Sequence, residues 1–143
     1  MKPVKFELIH DAGFPIYSQT IAARKGDLEE LSPCLEKLVP IMQQSQVDFV
    51  EDPSGTIDVI LDLTETFDDG WVYDEGVAKF SIEKQEELGL VSNGPDDTLG
   101  NFDEARVQGI IDLLTPLEGF EVAADVDPAD VMTNEFIDQS IGL

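Results

Sequence analysis

Thirty-one carboxylates stand against eight Lys and Arg, a formal charge of −23 at pH 7. Unpaired charges are costly to bury, so every element of such a chain has to keep one face in water. The apolar side chains must gather on the opposite faces. There are enough of them to do so. Hydrophobic residues make up 42% of the 143, with eight Phe, two Tyr and one Trp, which argues against full disorder despite the charge. The length suggests a single domain.

The charge excludes some partners and leaves others open. A surface this negative repels phosphate backbones, so nucleic-acid binding is not expected. The acids are unevenly balanced: residues 1–84 hold 17 acids and 7 bases, whereas residues 85–143 hold 14 acids and one base, Arg106. One reading is a solvated acidic face, and the scarcity of Lys suits a high-salt environment. The other is a surface for cations or a basic partner. No apolar run reaches membrane-spanning length, and Met1-Lys2-Pro3-Val4-Lys5-Phe6-Glu7 contains no signal segment. The single cysteine, Cys34, cannot form an internal disulfide.

Patterning predicts an α/β chain, two strands followed by about four helices. Residues 4–10 alternate imperfectly and read as a strand, broken by Asp11-Ala12-Gly13-Phe14-Pro15. Residues 16–23, rich in β-branched and aromatic side chains, read as a second strand. Helices are expected roughly over 32–51, 53–67, 74–88 and 102–115. Ser32-Pro33 and Asp52-Pro53 supply cap-and-N1 pairs, while Asp74 and either Asn101 or Asp103 supply further caps. Leu35, Leu38, Val39, Met42, Gln46 and Phe49 mark one face of the first helix, with Pro40 expected to bend or interrupt it. Two strands make a poor sheet alone, so the chain reads as part of something larger or as one that completes its sheet with another chain.

Few residues carry chemistry. One histidine, His10, and no Gly-x-Ser-x-Gly elbow leave no support for a Ser-His-Asp arrangement. One His and one Cys cannot build a structural zinc site. Candidate calcium loops with Gly70 or Gly100 as the invariant glycine fail because Phe67 and Pro95 fall where oxygen ligands belong. Looser carboxylate pairs at Asp68-Asp69 and Asp96-Asp97 are the remaining cation candidates. Nucleotide-phosphate motifs are absent, and no catalytic residue, metal or cofactor is assigned. Phe67, Trp71 and Tyr73 form either a plug between helix ends or a platform that stacks a small ring.

The run Phe14-Pro15-Ile16-Tyr17-Ser18-Gln19-Thr20-Ile21-Ala22-Ala23-Arg24 carries a resemblance. So do Ser32-Pro33, Glu51-Asp52-Pro53, Trp71-Val72-Tyr73 and Thr133-Asn134-Glu135-Phe136-Ile137. In this order they resemble the C-terminal half of extracellular solute-binding proteins of ABC transporters, in the NMT1/THI5-like group of nitrate, sulfonate and thiamine-pyrimidine-precursor binders. The resemblance implies a partial periplasmic-binding-protein type II fold, truncated to about half the family's length. It implies an extracytoplasmic location, a small-molecule ligand and an ABC permease as partner. It also implies that ligand binds in a cleft between two lobes that close on it. Asp11, Phe14, Tyr17 and Trp71 become the ligand candidates. Asp11 suits a cationic or hydrogen-bonding ligand such as a pyrimidine amine, with Phe14 or Tyr17 stacking on the ring; alternatively Asp11 only caps its own turn. The competing reading is a small acidic protein-interaction domain unrelated to transport.

Apolar stripes on several helices also predict a homo-oligomer through exposed apolar faces. Salt screens the like charge that opposes pairing. Light scattering across a NaCl series should therefore show association that strengthens as salt rises; monomer alone at high concentration and high salt would refute it.

Overall fold

The computed structural model describes residues 5–68, 70–119 and 125–143, so Val4 of the first expected strand and Asp69 of the Asp68-Asp69 pair lie outside the described residues. Five α-helices are described: α1 (Leu28–Glu51), α2 (Ser54–Phe67), α3 (Glu75–Glu87), α4 (Glu104–Leu114) and the single-turn α5 (Pro128–Val131). A 3₁₀ turn at Lys25–Asp27 leads into α1.

The expected α/β class is overturned, because no strand occurs among the described residues. Residues 8–14 close instead into a turn, with amide donation from Ala12 to Leu8 O, Gly13 to His10 O and Phe14 to Ile9 O. Residues 16–23 are irregular with a bend at Ser18 and Gln19. The physical reason is that β-propensity measures how well a side chain packs on a pleated, half-buried surface. Here Phe6, Ile9, Ile16 and Ile21 stay exposed. The Pro15 and Ile16 carbonyls, which a neighbouring strand could have used, accept instead from the Arg106 guanidinium.

Three of the described helices begin where side chains cap them. Asp74 accepts the Val77 amide at 2.8 Å and Asp103 the Arg106 amide at 2.9 Å. Asp127 caps α5 in a capping box with Asp130 and with Pro128 at the first position. Asp52 accepts the amide and hydroxyl of Ser54, so α2 opens at Ser54 with Pro53 as its cap residue. α2 ends on Asp68 in the left-handed conformation, φ 41°, and Gly70 follows at φ 82°. α1 starts at Leu28 and runs unbroken through Pro33 and Pro40 to Glu51.

The described residues fall into two compact units. The first comprises the chain up to Cys34 with Asn101–Phe136. In it α4 packs on α5, burying Val107 and Pro128. Lys25 pairs with Asp130 at 2.9 Å, and this hydrogen bond holds the Asp130 carboxyl below its ordinary pKa.

The second unit comprises Leu35–Gly100 and Ile137–Leu143, with α2 packed on α3. Its α1 segment buries Leu35, Val39, Gln43 and Val47, a ridge of strict four-residue steps. Leu38 and Met42, expected on the buried face, are exposed. Gln43 is 5% exposed and its amide is fully used. It donates to Leu99 O at 2.8 Å and Asp138 O at 3.1 Å, and its oxygen accepts the Asp138 amide at 2.9 Å. The tail is fixed at three further points. Leu99 donates its amide to Ile141 O, and the Asn93 side chain both accepts from Leu143 N and donates to Leu143 O. A Cβ on Gly142 would sit 2.2 Å from the Asp97 carbonyl oxygen, so the tail passes where only glycine fits. Thr98, 1% exposed, donates its hydroxyl to Gln139 O.

Removing the Gln43 amide takes the partner from the buried Leu99 carbonyl and from the part-buried backbone groups of Asp138. In urea titrations Gln43→Leu should cost about 2–4 kcal/mol, since each orphaned buried group carries about 1–3. Gln44→Leu, one residue on but exposed, should stay within about 0.5 kcal/mol.

Candidate functional site

Arg106, the one base after Lys84, organises the first unit. It sits in the first turn of α4. Its Nε donates to Pro15 O at 2.7 Å and a terminal nitrogen donates to Ile16 O at 2.7 Å. Its guanidinium lies 4.0 Å from the centre of the Tyr17 ring, a cation–π contact. The Tyr17 ring meets Phe102 edge-to-face, centres 5.0 Å apart and planes at 80°. The Tyr17 hydroxyl accepts the Asp103 amide at 2.9 Å. Asn134 completes the arrangement, its oxygen accepting from Phe102 N and its nitrogen donating to Phe102 O.

This geometry gives the expected ligand residues different standings. Tyr17 is committed: a guanidinium covers its ring, Phe102 meets the ring edge-to-face, and its hydroxyl is spent on the α4 N-terminus. It serves as framework for the segment that bears the other two. Asp11 is exposed on the 8–14 turn, where Gly13 supplies φ 97°. Phe14, half-buried, closes that turn through its amide, and its carbonyl accepts from Ile16 N. Trp71 belongs to the second unit and is 71% exposed. Asp11, Phe14 and Tyr17 thus share one short segment and Trp71 does not.

Arg106, Phe102 and Asn134 were not among the residues the sequence singled out as site candidates. Arg106 alone left a signal there, as an isolated cation among fourteen acids.

Within the second unit a cavity of about 20 Å³ is lined by Phe49, Val50, Ile82, Gln85, Glu86 and Val91. That is room for about one water and not for an organic solute. Among the described residues no group of three or more His, Cys, Asp or Glu is arranged to hold a metal ion. No described helix is long and apolar enough to cross a membrane. The chain matches no protein-family model, and searches of curated proteins and of solved structures return no match.

Lys cannot reproduce the planar fork with which Arg106 reaches two carbonyls and a ring face. Arg106→Lys should therefore destabilise by about 1–3 kcal/mol and Tyr17→Phe by about 1 kcal/mol in chemical denaturation. Because the two side chains touch, the double variant should lose less than the sum of the single losses.

Proposed function

We propose that the chain is a solute-binding component, in part, of an ABC importer of a small organic molecule, a pyrimidine thiamine precursor or a sulfonate. It would work extracytoplasmically beside its permease. The ordered run of residues from Phe14 to Ile137 that resembles such proteins motivates the reading. The observation that carries it is the Asp11 turn. A carboxylate stands open to solvent on a loop held by three backbone hydrogen bonds, immediately before a segment pinned by Arg106. An exposed, positioned carboxylate accepts hydrogen bonds from an amino group, and Phe14 offers an adjoining aromatic surface. This favours the pyrimidine amine over the sulfonate, whose negative charge Asp11 repels.

A second reading, a small acidic protein-interaction domain, is favoured by the exposure of Phe67 (72%) and Val72 (83%) in the second unit.

Titration calorimetry against aminopyrimidines and sulfonates tests the first reading. Aminopyrimidine binding that weakens at least about tenfold in Asp11→Asn, a loss of about 1.4 kcal/mol, is the expected outcome. Heat-silent titrations with every solute would leave the interaction reading in its place.

A further inference from the structure

The apolar arc of α2 is wider than a surface helix needs. Residues along a helix advance about 100° each. The buried side holds Ile57, with Leu61 and Thr64 half-buried beside it. Beyond it lies an exposed stripe, Val59, Leu63 and Phe67, joined to the buried side through Ile60, at 56, 49, 72 and 36% exposure. The stripe drifts through roughly 80° from Val59 to Phe67, as four-residue steps dictate. Asp58, Asp62 and Glu65 fill the remaining side, with Asp62 and then Asp58 nearest the stripe at Val59.

Along the chain, the charge on either side of this stripe is one-signed. Residues 38–78 hold ten Asp and Glu and no Lys or Arg. The nearest cation C-terminal to them, Lys79, is bound to Glu75 at 2.6 Å. A second copy of the chain would bring the same acidic rim against the stripe, so like charge opposes it. A partner whose apolar ridge is flanked by Lys or Arg meets the stripe and its rim together.

We infer that the exposed stripe of α2 is a docking face for a cationic amphipathic helix of a protein partner. The ridge residues of that helix, spaced three and four apart, pack on Val59, Leu63 and Phe67. Its flanking cations face Asp58 and Asp62. Charge sets the encounter and the orientation; the apolar contact sets the lifetime. The inference is independent of solute binding, which was placed at the Asp11 turn.

The test uses the whole chain at 0.15 M NaCl and a dye-labelled Leu/Lys peptide of about 18 residues, five helical turns, with Leu on one face. Anisotropy follows binding, and Trp71, four residues beyond Phe67 and the only tryptophan, reports through its emission. Binding with a blue shift is expected. It should weaken at least about tenfold for Leu63→Ser with Phe67→Ser. Asp58→Asn with Asp62→Asn should weaken it and flatten its salt dependence. Circular dichroism checks the helices; if the double Ser variant loses helix, Val59→Ser carries the same comparison. Equal binding of a scrambled peptide of the same composition would overturn the inference, as would indifference to the stripe substitutions. So would sedimentation showing that the stripe serves only self-association, strengthening with salt where peptide binding weakens. Solute calorimetry on the stripe variants should be unchanged, so the two readings fail separately.

Discussion

Cations are too few in this chain to fasten it, and side-chain amides take over that work. Three of them bracket backbone: Gln43 holds Leu99 and Asp138, Asn93 holds Leu143, and Asn134 holds Phe102. Each both donates and accepts, so it imitates a rung of sheet pairing without a strand. An amide needs no counterion and does not titrate. The described ion pairs, in contrast, are exposed and contribute little each. The bracket made by Gln43 matters most, because it is buried and water cannot substitute for it.

Arg106 is the exception, a cation used internally. It does not meet a carboxylate; it spends its charge on two carbonyls and an aromatic face. With −23 overall, a cation bound to neutral groups keeps its positive field near the acids around it, and an Arg does this better than a Lys because its fork and flat face act at once. This single contact set ties down the run Pro15–Tyr17, next to the turn that leaves Asp11 in solvent.

The helices were legible in the sequence where caps and breakers were chemical. Asp74 and Asp103 act as their side chains require. The helices expected to end at 88 and 115 stop at Glu87 and Leu114. The buried face of α1 was less legible, since periodicity admitted both three- and four-residue steps while the structure uses only fours, through a Gln that looks like a surface residue. The two strands were misread because β-branched composition specifies a strand only when a neighbour supplies the ladder. Of the candidate site, the residues were visible and their standing was not. Whether Tyr17 faces a ligand or a guanidinium depends on a contact with Arg106, 89 positions along the chain.

The tail threading past Asp97 has a wider meaning. Gly142 is held against a backbone oxygen, an atom that cannot swing aside as a side chain could. One methyl group at that position therefore acts on the whole tail: it cannot be accommodated by local repacking and must lift the segment off its seat. Asn93 would then lose Leu143, Leu99 would lose Ile141, and the Gln43 amide would face water. The last residues of this chain are a keystone whose fit depends on the smallest side chain available.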